Sequence, residues 1–175
     1  GKTLTNFNIS VGATDDFMNA VAEEKEWKLI GPHNKEVVKI VNAKNIWEQI
    51  ITNAWSTGDP GLIFLDTINK SNPTPAVGRI EWTNPCGEVP LLPYESCNLG
   101  SIDVAKCVKG KEIDFTKLED LIITAVRFLD NVIEVNNYII PEIKNMVTGN
   151  RKIGLGIMGW AELLIRLEIP YASEN

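Results

Sequence analysis

The feature that most limits the fold of this 175-residue chain is the alternation of short apolar runs with amphipathic helical patterns. Residues 61–66 form a short and nearly all-apolar run, which is typical of a buried strand. Residues 118–133 carry apolar side chains at helical spacing, which predicts a long amphipathic helix. Strands that alternate with helices predict an α/β sheet or barrel. Because neither an internal repeat nor a linker interrupts the pattern, we expect residues 1–175 to form a single segment of one domain.

Capping and turn residues predict where the other elements lie. Thr14 is expected to cap a helix, and Thr116 with Glu119 forms a capping box before the long helix. A Gly-Pro turn that contains His33 predicts a hairpin, with the histidine exposed to solvent. The predicted strands are residues 6–11, 27–30, 37–41, 61–66 and 101–108. The predicted helices are residues 15–24, 43–55, the segment after 116, and 160–167.

Composition excludes several classes of protein. The net charge is −6 and the pI is about 4.9, which argues against a general nucleic-acid binder. No apolar stretch reaches the roughly 18 residues that a membrane helix needs. Three cysteines without a C-x-x-C pair, beside a single histidine, argue against a disulfide scaffold or a metal site. We therefore expect a cytoplasmic protein in a reducing compartment.

Residues 67–100 form a long proline-rich stretch, and loops of this length are usually functional or disordered. Within it lies Asn84-Pro85-Cys86-Gly87-Glu88. In an extended loop every second side chain projects to the same face, so Asn84, Cys86 and Glu88 are predicted to converge. The amide could then orient a substrate hydroxyl, and the carboxylate could accept its proton. The alternative is that Cys86 is a small buried apolar residue.

Two further features involve cysteine or glycine. A second thiol, Cys97, follows Cys86 by eleven positions, whereas Cys107 is expected to pack inside a strand. Residues 154–159 have the spacing G-x-G-x-x-G, but they lack the context of a dinucleotide-binding fingerprint. We expect those glycines to allow close packing of a strand and a helix.

The stretch from Asn84 to Ser101 resembles the large catalytic subunit of ribonucleotide reductases, and is most similar to the adenosylcobalamin-dependent (class II) branch. The resemblance extends across the whole chain, since residues 5–11, 57–66, 72–75 and 151–159 are similar to the same branch. It implies part of a ten-stranded α/β barrel, with residues 83–99 as the finger loop that enters it. It also implies that the chain is an internal segment, incomplete at both ends and inactive alone.

The resemblance implies a role for each residue of the motif. Cys86 would carry a thiyl radical that abstracts the 3′ hydrogen of a ribonucleotide. Glu88 would take the proton of the 3′ hydroxyl, and Asn84 would hydrogen-bond the sugar. Cys97 would be one of two thiols that become a disulfide, and its partner would lie upstream of this chain. Residues that bind the cofactor are not assigned.

The resemblance further implies adenosylcobalamin as cofactor, although this segment alone would bind none. The substrate would be a ribonucleoside diphosphate or triphosphate, the reductant a thioredoxin-type protein, and the full-length protein a homodimer. Nucleic acid and membranes are not expected as partners. Two alternatives stay open. One is a class I large subunit that takes its radical from a partner subunit, and the other is a non-catalytic split-gene segment that needs a complementing chain.

Overall fold

The computed structural model describes residues 6–174 of the chain. Contacts group them into two compact units, with the boundary between Pro93 and Tyr94. Within the described residues, the strands pair into five two-stranded sheets. None of the helices in this range is both long and apolar enough to span a bilayer.

The first unit combines one parallel strand pair with two hairpins. Its elements are β1 (Ser10–Ala13), α1 (Asp15–Ala22), β2 (Glu26–Ile30), β3 (Val37–Asn42), α2 (Ala43–Thr57), β4 (Gly61–Phe64), α3 (Leu65–Lys70), β5 (Trp82–Thr83) and β6 (Pro90–Leu91). Strand β1 pairs in parallel with β4, from Ser10 opposite Gly61 to Ala13 opposite Phe64. A parallel pair needs a long crossover, which α1, the β2–β3 hairpin and α2 provide.

The core of the first unit lies where the two longer helices meet. Ala13, Phe17, Ala20 and Ala43 are buried there. The ring of Phe17 meets that of Trp27 edge to face, with centroids 5.3 Å apart. The predicted cap of α1 is confirmed, since Thr14 Oγ1 accepts a hydrogen bond from the Phe17 amide at 3.2 Å.

The second unit is built on a parallel pair covered by helices. Its elements are β7 (Asn98–Asp103), a 3-10 helix (Val104–Cys107), β8 (Val108–Lys109), β9 (Glu112–Ile113), α4 (Phe115–Val135), α5 (Pro141–Asn150), β10 (Ile153–Met158) and α6 (Trp160–Leu167). Strands β7 and β10 pair from Asn98 opposite Ile153 to Asp103 opposite Met158. Ile102, Val104 and Leu163 form the buried core between this pair and α6.

Several predicted elements are confirmed, and others need correction. The hairpin, α2, α4 and α6 lie close to their predicted positions. The first strand begins only at Ser10, because its partner β4 is four residues long. That partner ends at Phe64, since the next residues form the first turn of α3. It is also half-buried rather than buried.

Two corrections concern the second unit. The strand predicted over 101–108 is wrong, because β7 ends at Asp103 and the chain turns into a 3-10 helix. The capping box is also wrong, because Asp114 caps α4 by accepting from the Lys117 amide at 3.0 Å. Helix α5 was not predicted.

Candidate active site

The motif around Cys86 lies at the tip of a short β-hairpin. Strands β5 and β6 form its stem, with Trp82 opposite Leu91. The Gly87 amide donates to the Asn84 carbonyl at 3.0 Å, and the Asn84 amide donates to the Val89 carbonyl at 3.3 Å. Gly87 has a φ of +84°, which a glycine adopts without strain. The prediction of an extended loop is therefore wrong, because these hydrogen bonds fold the tip into a turn.

Asn84 closes this turn with its side chain. Its Oδ1 accepts a hydrogen bond from the Val89 amide at 2.9 Å. The oxygen is thereby engaged inside the tip, which leaves the Nδ2 group to donate to a ligand. Asn84 is half-buried, whereas Cys86 and Glu88 are exposed. The alternative that Cys86 is a buried core residue is therefore wrong.

Two asparagines of the α3 region hold the chain that leads into the hairpin. Asn69 Nδ2 donates to the Ile80 carbonyl and Asn69 Oδ1 accepts from the Ile80 amide, both at 2.9 Å. Asn72 Nδ2 donates to the Gly78 carbonyl at 2.8 Å. These side chains replace the backbone partner that a neighbouring strand would supply. The sequence analysis missed them, although asparagines at the end of a predicted apolar run were the available signal.

An ion pair fixes the same segment to the N-terminal end of α1. Asp66 pairs with Arg79 and also accepts a hydrogen bond from the Asp15 amide at 2.7 Å. The Asp15 amide, followed by Arg79, lowers the pKa of Asp66 below its ordinary value. The carboxylate thereby links α3 to the first residue of α1 and to Arg79, which precedes the hairpin stem.

A cleft of about 690 Å³ opens beside the hairpin. Its walls are residues 6–10, Gly12, Ile63, Leu65 and 81–85. Asn84 and Pro85, the two residues before Cys86, belong to this lining. The cleft therefore offers a mixed polar and apolar surface next to the exposed thiol. Within the described residues, no group of three or more histidine, cysteine, aspartate or glutamate side chains is arranged to hold a metal ion.

Cys97 lies in the second unit, directly before β7, and is half-buried. Two positions earlier, the side chain of Glu95 is completely buried. Glu95 Oε2 contacts Lys152 Nζ at 2.6 Å, and Glu95 Oε1 accepts from Asn150 Nδ2 at 2.8 Å. Sequence analysis missed all three residues of this cluster.

Cys107 and the glycine motif both have structural roles. Cys107 is 1% exposed, which is consistent with a packing residue, but it lies in the 3-10 helix rather than in a strand. A side chain at Gly154 would overlap Leu99 on the neighbouring strand. Gly159 has a φ of +74°, and a side chain there would overlap the Asp103 carboxylate. Gly154 thus allows β10 to pack on β7 rather than on a helix, whereas Gly159 lies against Ala105 of the 3-10 helix, in line with the expected close packing of strand and helix.

Comparison with known proteins gives a consistent picture. Residues 2–175 match the family model described as the ribonucleotide reductase barrel domain. The chain is 56% identical over 173 residues to a vitamin B12-dependent ribonucleoside-diphosphate reductase of Thermoplasma acidophilum, covering 98% of this chain and 22% of that protein. A protein of the same name from Mycobacterium tuberculosis (strain CDC 1551) is 52% identical over 172 residues, covering 98% of this chain and 25% of that protein.

A more distant relative bears a different name. The ribonucleoside-diphosphate reductase subunit alpha of Chlamydia pneumoniae is 37% identical over 141 residues, covering 78% of this chain and 14% of that protein. The chain thus spans a quarter or less of the length of these curated relatives. The family match confirms the resemblance seen in the motif. This chain belongs to the ribonucleotide reductase barrel-domain family.

Proposed function

We propose that this chain is part of the catalytic barrel of an enzyme, here called the complete reductase, that converts ribonucleotides to deoxyribonucleotides. The observation that carries the proposal is the exposed thiol of Cys86 on a turn that Asn84 closes. Within the complete reductase, residues 1–175 form one segment of a ten-stranded barrel. The parallel pairs β1–β4 and β7–β10 are strands of that barrel, and residues 83–99 are its finger loop, whose last two residues begin β7.

Three residues of the hairpin tip act on the ribose. Cys86, as a thiyl radical, takes the hydrogen atom from C3′ and later returns it. Glu88 accepts the proton of the 3′ hydroxyl. Asn84 donates a hydrogen bond from Nδ2 to the sugar, because its Oδ1 is held by the Val89 amide. The exposed positions of Cys86 and Glu88 support these roles, since both groups can reach a ligand.

Cys97 and a second thiol outside this chain supply the reducing electrons. The C2′–OH bond breaks, the hydroxyl leaves as water with a proton from a thiol, and a C2′–H bond forms. The two thiols lose two electrons and two hydrogens in total and form one S–S bond. Because no cysteine precedes Cys86 here, the 175-residue chain alone is expected to be inactive.

The names of the two more similar relatives support adenosylcobalamin as the cofactor. This cofactor supplies radical chemistry when it is bound. The exposed thiol of Cys86 fits that chemistry, because a buried thiol could not be reached from outside the turn. No residue of this chain is assigned to hold the cofactor.

The same names favour a ribonucleoside diphosphate as substrate. A thioredoxin-type protein would re-reduce the disulfide, the complete reductase would be a homodimer, and its location would be the cytoplasm. The class I alternative is supported by the Chlamydia relative, but at 37% rather than 56% identity. The alternative of a non-catalytic split-gene segment predicts that this chain associates with a complementing chain.

The test is replacement of Cys86 by serine in the complete reductase. Cys86→Ser should abolish deoxynucleotide formation with adenosylcobalamin and a dithiol, because an O–H bond is much stronger than an S–H bond. The thermal unfolding curve should not change, since the residue is exposed. Cys107→Ala is the matched control and should retain activity, as that thiol is buried in the core. Turnover by Cys86→Ser would overturn the proposal.

A further inference from the structure

We propose that Glu95, together with Asn150 and Lys152, positions the Cys97 thiol for disulfide formation. This inference rests on the proposed function, because it assumes that Cys97 is a reducing thiol. The three polar residues lie in the same compact unit as Cys97. They have no part in the hairpin tip that carries Cys86.

The first step is the register of the parallel pair. Backbone pairing of β7 and β10 begins at Asn98 opposite Ile153. Glu95 lies three residues before β7, and Asn150, the last residue of α5, lies three residues before β10. Glu95 binds Asn150 at 2.8 Å and Lys152 at 2.6 Å. These side chains thus hold the two segments together just before the point where β7 and β10 begin to pair.

The second step is the position of the thiol. Cys97 lies between this side-chain cluster and the first backbone pair of β7, so its segment is held on both sides. A reacting group that moves by about 1 Å can lose about 100-fold in rate. A segment anchored at one end only would leave the thiol free to make such a movement.

The third step is the burial of the charges. The Glu95 side chain is 0% exposed and that of Lys152 is 18% exposed. A buried ion pair is a poor source of stability, because desolvation offsets the attraction between the charges. What the pair contributes is orientation, since two hydrogen bonds hold the Glu95 carboxylate in one position. Such a buried ion pair is suited to a position where the orientation of nearby groups matters more than the stability of the fold.

The test uses the first turnover of the pre-reduced complete reductase without added reductant. Glu95→Gln removes the charge and keeps an oxygen that accepts from Asn150. Two rates should fall by up to about 100-fold. One is the rate of deoxynucleotide formation, and the other is the rate at which Cys97 forms its disulfide, measured by peptide mass spectrometry. Hydrogen exchange at the substrate sugar, which depends on Cys86, should stay at the wild-type rate. Parallel loss of deoxynucleotide formation and hydrogen exchange, or loss of neither, would overturn the proposal.

Two more variants separate positioning from folding. Asn150→Ala removes the hydrogen bond to Glu95, and a longer one to Met146 Sδ, but leaves the ion pair, so it should fold and show a smaller loss in the same direction. Glu95→Gln with Lys152→Gln removes both charges and should remain slow. Recovery of this double variant would mean that only a stranded lysine charge was harmful, and would refute the positioning role.

Controls distinguish this proposal from the proposed function. Glu168→Gln breaks an exposed ion pair with Lys111 in the same unit and should behave as wild type. Cys97→Ser in the same assay tests the redox role itself. Sustained deoxynucleotide formation by Cys97→Ser would refute that role. If Cys97→Ser loses product formation while Glu95→Gln is fully active, only the positioning role is refuted.

Discussion

The side chain of Asn84 makes one observed contact and is proposed to make a second, and substitution can separate the two. Its Oδ1 accepts from the Val89 amide at 2.9 Å, which closes the hairpin tip, and its Nδ2 is proposed to bind the sugar. Asn84→Ala removes both groups. Asn84→Asp keeps an oxygen acceptor for the Val89 amide but removes the donor. The two variants should therefore differ in the order of the turn while both lose activity.

The magnitude follows from one hydrogen bond. A net contribution of about 0.5–1.5 kcal/mol corresponds to an opening equilibrium that is about two- to tenfold larger without it. The sensitive probe is the Gly87 amide, which donates to the Asn84 carbonyl and does not itself contact the lost side chain. Its hydrogen exchange should accelerate by that factor in Asn84→Ala and stay at the wild-type rate in Asn84→Asp. The substrate contact is worth a similar amount, so kcat/KM of Asn84→Asp should fall about two- to tenfold.

Exchange is measured by deuterium uptake and mass spectrometry on the complete reductase, on a peptide that spans the turn. Wild-type exchange of the Gly87 amide in Asn84→Ala would refute the argument that this side chain closes the tip. Wild-type kcat/KM in Asn84→Asp would refute the proposed contact of Nδ2 with the sugar. Each result is independent of the other.

Three other predictions concern the motif and the second unit. Cys97→Ser should retain hydrogen exchange at the substrate sugar but fail to form product, and sustained turnover would contradict the redox role. Glu88→Gln should lower kcat by about 10²–10⁴ with nucleotide affinity largely intact, because only proton transfer is lost; near wild-type kcat would contradict this role. Gly159→Ala should accelerate amide exchange in β10, because alanine in this left-handed backbone costs roughly 1–2 kcal/mol and its side chain would overlap Asp103. Gly154→Ala should have less effect, because its side chain would meet only the movable side chain of Leu99. Equal exchange in the two glycine variants would argue against this difference.

Local patterns predicted most of the regular structure. Thr14 caps α1 as expected, and α6 begins and ends at the expected residues, because these signals act over a few neighbouring positions. Strand ends were harder to predict. The start of β1 at Ser10 depends on its pairing with Gly61 of β4, which lies in a distant segment of the chain.

The motif residues were predicted, but the groups that hold them were not. Asn84, Cys86 and Glu88 were expected to converge through an extended loop, whereas the structure places them on a turn. Glu95 forms its contacts with residues that lie 55 and 57 positions further along the chain. The pairing of β7 with β10, together with the end of α5 at Asn150, brings these groups together, and no local pattern contains that information.

The asparagine anchors of the hairpin affect how the chain tolerates change in length. Asn72 binds Gly78 across a loop, and Asn69 binds Ile80 just beyond it. The loop of residues 73–77 is therefore closed at its base by side chains, and four of its five residues are exposed. A short insertion or a spectroscopic label in this loop should therefore leave Ile80 in its place. We therefore expect the loop to accept added sequence without disturbing the thiol-bearing hairpin.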